Sequence, residues 1–426
     1  MKRLDNGCFK SKRLLVLGAS TSEIPLVIRA QELGCEVTVT DYNTDWSLSP
    51  AKQIADKAWD ISWSDISLLA EKCREERIDG VVAGYSEIRV EYLISLCETL
   101  NLPCYCTSEQ LEVTRSKTAF KEVCRSYGVP VVREYDAEGE DLAFPVIVKP
   151  VDRGGSLGIS VAYNESDYAE SLDIARNASL SGEVIVEQYI TEATKFDALY
   201  AINDGRVNLL GTSDTVDALS NNGVRVIQNG WTLPSRHHAE FVDQANPQIV
   251  KMISGLGIKT GCIFFSGFYR NGSFAFFETG FRLSGGEFFV YHDKAGQGNV
   301  FDLYIAHALN SRLGDKLDFS TSTKLKCACV NYYAKAGRVS AINGIDEAKD
   351  AIPECILALQ YGSVGQECSD SEAILSKMAM LQFVGESPDE IRRAISESNR
   401  MIRVESVQSE DMVLEYPNPI SFTWSD

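Results

Sequence analysis

Short apolar runs alternate with amphipathic stretches through the first hundred positions of the chain. Residues 13–18 read as a buried strand closed by Gly18. The stretch 22–33 predicts a helix stopped by Gly34, and 36–40 a strand ending at Asp41. The pattern repeats with a helix over 66–77, a strand over 80–83 and a helix over 89–100. Strand–helix alternation at this spacing predicts a parallel sheet wrapped by helices, and it ends near residue 105.

Beyond it the rhythm changes. Residues 108–132 predict one helix that finishes at Gly128-Val129-Pro130. Strands follow over 145–149, 159–163 and 184–189, with a helix running to about 179 between the last two. Further strands are expected at 197–202, 207–211, 262–269 and 273–278, and a helix at 242–255. After Lys324 short strands and turns alternate up to a helix at 388–398. The fold class is therefore α/β, in three units: 1–105, 106–320 and 321–426.

Length agrees, since 426 residues amount to two to four ordinary domains. The net charge of −19 is spread along the chain, which argues against nucleic acid or an anionic membrane as partner. An anionic ligand would have to be met by a few local lysines, arginines and backbone amides. The 12 cysteines follow no repeated framework, and the pairs Cys104/Cys106 and Cys327/Cys329 lack the companions a zinc site needs. Reduced thiols packed as small apolar residues are expected. With neither a leader pattern nor a long apolar run, the expected location is cytoplasmic. Gly18 and Asp41 sit as in a dinucleotide fold, but Glu23 and Ile24 stand where a later glycine would be needed, so NAD is not expected.

Three segments carry candidate chemistry. In the first, a β-branched strand delivers Lys149 to its end, directly before the loop Gly154-Gly155-Ser156-Leu157-Gly158. Glycines let backbone amides approach phosphate oxygens, Ser156 adds a hydroxyl donor, and lysine supplies a point charge. A surface hairpin with a solvated lysine would leave the same trace. In the second, an apolar strand ends in Glu187, followed by Gln188, Tyr189 and Ile190. In the third, an aromatic strand ends in Glu278, with Arg282, Gly285 and Gly286 behind it. A carboxylate suits magnesium, and an arginine nearby suits charge on a transferring phosphoryl group. The bland alternatives are a solvated Glu187 and an Arg282 that pairs with Glu278.

In this order the segments resemble the ATP-grasp superfamily, within it the amino-acid ligases and the biotin-carboxylase-like group. The resemblance covers essentially the whole chain. It implies an N-terminal parallel-sheet domain preceding the ATP-grasp domain, and a small C-terminal α+β lobe. Ser116-Lys117 resembles the helix start that carries the first nucleotide lysine, and Lys149 the second. The loop with Gly154, Gly155, Ser156 and Gly158 resembles the flap over the phosphates. Glu187, Tyr189 and Ile190 resemble the hinge that receives adenine. Glu278 matches a metal-binding glutamate, with Mg2+ or Mn2+ the implied ion. Arg282 with the Gly285 and Gly286 amides would meet substrate and developing charge. The implied reaction is ADP-forming: ATP phosphorylates a small carboxylate and an amine then displaces phosphate. A homodimer is the commonest arrangement for such proteins.

The chain departs from the pattern at three places. Ser266 stands where an acid is usual, twelve residues before Glu278, and Gly280 where asparagine is usual. Thr194-Lys195 stands where many members carry an acid for the ribose. The expectation is a metal site with one strong carboxylate, Glu278, with Glu287 as a candidate to compensate. An ATP-binding sensor or accessory protein with little turnover is the alternative to a ligase.

Overall fold

The computed structural model describes residues 3–139, 141–152, 158–221, 224–311, 319, 323–369 and 375–425, without the side chains of 218–221 and 224–226. Strand β1 (Arg13–Leu17) lies between β2 (Glu36–Thr40) and β4 (Gly80–Ala83), and β3 (Lys57–Trp59) extends the far edge. The pairings are parallel. Leu14–Leu17 and Gly80–Ala83 are buried throughout because helices cover both faces, which is why they read as continuous apolar runs. The helix Ile66–Glu76 starts on the Asp65 side chain and stops where Arg77 turns left-handed at φ 55°.

The helix expected over 108–132 is two. Ser116 takes an extended ψ of 116° between Ser108–Arg115 and Lys117–Ser126, and its hydroxyl accepts from the Ala119 amide. That break puts Lys117 at the first position of a helix rather than in the middle of one. The helix expected at 242–255 is likewise split, into His238–Gln244 and Asn246–Gly255, with Pro247 opening the second.

A small sheet follows, formed by β5 (Glu134–Tyr135), β6 (Val146–Pro150), β7 (Ser160–Ala162) and β8 (Val184–Gln188) in the order β5-β8-β6-β7. The largest sheet has eight antiparallel strands. From one edge these are β13 (Ser273–Gly280), β12 (Thr260–Arg270), β9 (Thr194–Asn203), β10 (Arg206–Asn221), β11 (Val224–Leu233), β14 (Lys326–Tyr333), β18 (Lys377–Gly385) and β16 (Cys355–Gln360). Strands from either side of residue 320 thus join one sheet, through the β11–β14 pairing. The remaining strands, β15 (Gly337–Asn343), β17 (Glu367–Cys368) and β19 (Arg403–Ser406), form a small ribbon.

On one face of the β13-β12-β9 region, Phe196, Phe265, Phe274 and Phe276 pack into an aromatic core with Phe120, Tyr200 and Phe241. The opposite face carries polar residues. All twelve cysteines are unpaired, and most are buried. Among the described residues no helix is long and apolar enough to cross a membrane.

Candidate functional site

The polar face is organised as a row. Ser213 lies opposite Asp197, Asp197 opposite Ser266, and Ser266 opposite Glu278, across β10, β9, β12 and β13. Directly opposed residues of antiparallel strands share a face, so these four side chains stand side by side. The Ser266 hydroxyl donates to Asp197 Oδ1 at 2.5 Å, and Ser213 to Oδ2 at 3.5 Å. Burial pushes the Asp197 carboxyl up from its ordinary value, with Lys195 and the Ser266 hydroxyl opposing and Glu278 adding to the rise.

The small sheet and the helix Lys117–Ser126 bring cations to this face. Lys117 Nζ donates to the Val151 carbonyl at 3.4 Å. Burial pushes its pKa down, and Glu278 is the strongest charge opposing that shift. Lys149 Nζ lies 5.3 Å from the Phe277 ring centroid, beside Glu278 in the chain, and donates to Glu187 Oε2 at 2.5 Å. The other Glu187 oxygen is bonded to Lys121, which is fully buried. Burial alone would push the Glu187 carboxyl up; Lys149 and Lys121 overcome it and hold it below the ordinary range. In this state the Glu187 side chain is turned to the two lysines.

Of the adenine-hinge positions, Tyr189 and Ile190 are half-buried just after β8, and the Tyr189 amide donates to the Pro145 carbonyl at 3.1 Å. Gly154, Gly155 and Ser156 lie outside the described residues. Gly158 has φ +71°, and a Cβ there would stand 2.3 Å from Ala178 Cβ, so glycine is needed for packing as well as for the turn. Thr194 Oγ1 accepts from Arg236 at 3.0 Å and lies 3.3 Å from His237 Nε2, so a guanidinium and an imidazole, the latter's pKa lowered by burial, flank Thr194.

Arg282 is not paired with Glu278. Its Nε donates to Glu87 Oε1 at 2.6 Å, and the guanidinium sits 5.0 Å from the Phe264 ring centroid. Glu87 opens the helix Glu87–Leu100, which therefore contributes to the arginine's setting. Gly280 packs against the same group: an added Cβ would lie 2.6 Å from Phe264 and 3.0 Å from Glu87 Oε1. Gly285 is exposed, whereas the Gly286 carbonyl accepts from Gln382 at 2.8 Å and from the Cys329 thiol at 3.3 Å.

Glu287 is held elsewhere. It is buried, accepts from the Tyr85 hydroxyl at 2.9 Å and the Tyr361 hydroxyl at 3.4 Å, and its pKa is pushed up to about 8 by burial. Its charged neighbours are Lys377 and Glu23, not the groups around Glu278.

Sequence reasoning missed Lys121, Glu87 and Asp197. An acid inside the otherwise apolar run Phe196–Ile202 was a legible signal for Asp197. Nothing local marked the other two, because their partners are 66 and 195 residues away.

With this geometry in hand the class follows: the chain has the ATP-grasp fold, a parallel sheet followed by a large antiparallel one. The family model "D-ala D-ala ligase C-terminus" matches residues 111–211, a stretch that contains Lys117, Lys149, Glu187 and Asp197. The L-amino acid ligase of Bacillus licheniformis superposes with a TM-score of 0.76 at 18% identity, over 93% of this chain and 99% of that one. The biotin carboxylase of Campylobacter jejuni does so at 0.75 and 16% identity, over 92% of each. In sequence, the formate-dependent phosphoribosylglycinamide formyltransferase of Sulfolobus acidocaldarius is 27% identical over 263 residues, 58% of this chain and 64% of that one. That of Sulfurisphaera tokodaii is 22% identical over 261 residues, again 58% and 64%. The chain thus spans less than two thirds of the length of these curated relatives.

Proposed function

We propose that the chain is an ATP-dependent, ADP-forming ligase that joins a small carboxylate to an amine. The observation that carries this reading is the meeting of Lys117, Lys149 and Glu278, from three separate elements, on one face of an acidic protein. Two ammonium groups beside a carboxylate are what a nucleotide triphosphate and a hard cation require.

In the proposed reaction, a carboxylate oxygen attacks the γ-phosphorus and ADP leaves. The amine nitrogen then attacks the acyl carbon, phosphate leaves and the amine gives up a proton. Lys117 and Lys149 hold the phosphates. Lys149 can turn from Glu187 to a phosphate because Lys121 still neutralises that buried carboxylate. Arg282, oriented by Glu87, faces charge that develops at the reacting group, and the Gly285 and Gly286 backbone lies beside it. Tyr189 and Ile190 receive the adenine. Positioning and electrostatics carry most of such a reaction, so a dedicated proton-transfer residue is not needed.

The donors at the row are hard oxygens, Glu278 and its neighbours Ser266 and Asp197, which fits magnesium or manganese. Among the described residues no cluster of three or more His, Cys, Asp or Glu offers an alternative centre. Glu278, with Asp197 and Ser266 beside it, would hold such an ion, which would supply neutralisation of the phosphate charge.

A small carboxylic acid and an amino compound are the substrate class, a reading that the amino acid ligase and formyltransferase relatives support. A second reading, nucleotide binding with little turnover, is favoured by Gly280, where Phe264 and Glu87 fill the space an amide side chain would need. Screening ADP release over carboxylate–amine pairs with magnesium or manganese separates the two. ADP-forming turnover supports the ligase; nucleotide binding without turnover on any pair supports the second.

A further inference from the structure

We propose that Asp197 is the second carboxylate of the divalent-cation site, an acid supplied by β9 where β12 presents only Ser266. The proposal rests on the ATP-site reading above. Its starting point is the row Ser213–Asp197–Ser266–Glu278, in register on four neighbouring strands. Strands lie about 4.8 Å apart, so Asp197 and Glu278 are separated at their backbones by roughly 10 Å, with one small residue between them. Carboxylate side chains leaning inward from both sides close most of that gap. Asp197 does lean inward, since it takes the Ser266 hydroxyl at 2.5 Å.

The charge pattern points the same way. Asp197 accepts hydrogen bonds from two neutral hydroxyls, Ser266 and Ser213, and neither it nor Glu278 is in salt-bridge contact with a cation among the described residues. By contrast, the buried Glu187 close by is paired with two lysines, and the buried Asp302 with Arg29. Two acids without a contacting cation, on one face and separated by one strand, with Lys195 and Lys117 acting on them only at longer range, form a place for an external one. Magnesium bound through one or two carboxylates, with water and substrate phosphates completing its shell, needs no more from a protein. Ser266 then orients Asp197 instead of ligating strongly itself.

The test uses the full chain with ADP and Mn2+, followed by electron paramagnetic resonance of free manganese and by thermal melting. Asp197→Asn keeps the shape and the Ser266 contact and removes the charge. The double variant Asp197→Asn with Ser266→Asp moves the acid one strand along the same row. We expect Mn2+ affinity in the presence of ADP to fall about tenfold or more in Asp197→Asn, the size of effect that even supporting residues have at metal sites. The double variant should regain most of it. Unchanged affinity in a folded Asp197→Asn overturns the assignment, as does a loss that the folded double variant does not reverse. If wild type binds no ADP, with or without Mn2+, the nucleotide reading itself falls and this proposal with it.

Discussion

Lys149 and Glu187 are joined by a hydrogen bond of 2.5 Å, and the same carboxylate is bonded through its other oxygen to the buried Lys121. One acid therefore stores two cations, of which only Lys149 borders the open face. Losing one lysine still leaves Glu187 compensated; losing both would strand a buried charge.

From this arrangement, Lys149→Ala should weaken ATP binding by about 1.5–3 kcal/mol, the value of a charge-assisted hydrogen bond, without unfolding the protein. Lys121→Met should weaken it too, although Lys121 does not face the ligand, because Lys149 becomes the remaining counter-charge of Glu187. Calorimetry on both variants checks this. Unchanged affinity in Lys149→Ala would return that lysine to a structural role.

Gly280 is fixed by packing. Gly280→Asn drives a Cβ to within 2.6 Å of the Phe264 ring, so it should lower the melting temperature and should not raise metal affinity. Adding Phe264→Ala should relieve the crowding and recover part of the stability. A Gly280→Asn protein as stable as wild type would contradict the packing account.

Asp302 and Arg29 form a buried ion pair at 2.6 Å, linking the helix Ile24–Glu32 to the helix Val300–Ala308. Asp302→Ala leaves the Arg29 guanidinium almost wholly buried and short of its main partner, which should cost about 3–5 kcal/mol in denaturant unfolding. Replacing both with apolar residues should cost much less.

Glu287 gives a pH dependence. It faces Tyr85, Tyr361, Ser22, Glu23 and Lys377, and burial raises its folded pKa to about 8. The folded state holds that proton more tightly than the unfolded chain does, so the contribution is complete at low pH and lost as pH climbs to about 8. Lys377, pushed down to about 8 by burial, acts with the opposite sign and only above that pH, where stability is regained. Wild type should lose up to about 1.4 kcal/mol per pH unit between pH 5 and 8 from this group, and Glu287→Gln should flatten that slope. Melting curves across the range decide it, and parallel slopes would contradict the assignment.

Much of the fold was legible because its periodicities are strong. Strands Glu36–Thr40 and Gly80–Ala83 fall on the expected residues; the second is buried throughout, as its unbroken apolar run implies, and the first carries buried threonines between its valines. The break at Ser116 leaves no trace in the apolar pattern, because Ser-Lys-Thr-Ala is compatible with an uninterrupted helix; only the likeness of Ser116-Lys117 to a family helix start pointed to it, and the capping geometry shows the new start. Strand β11 was missed, and its pairing with β14 across residue 320 is a long-range contact with no local trace. At the site, Lys117, Lys149, Glu278 and Arg282 could be named from their segments. Glu187 was named too, as a hinge residue, but its pairing with Lys149 and Lys121 and that of Arg282 with Glu87 arise from register and docking, and the place of Asp197 in the row follows from the pairing of β9 with β12.

The most direct test of the ligase reading is the nucleotide product formed during turnover with magnesium, ATP, a carboxylate and an amine. With Lys117, Lys149 and Glu278 proposed to hold the phosphates and their metal, the reading predicts ADP and inorganic phosphate in equal amounts to the amide formed, with Glu278→Gln abolishing all three. AMP and pyrophosphate as the main products would contradict it.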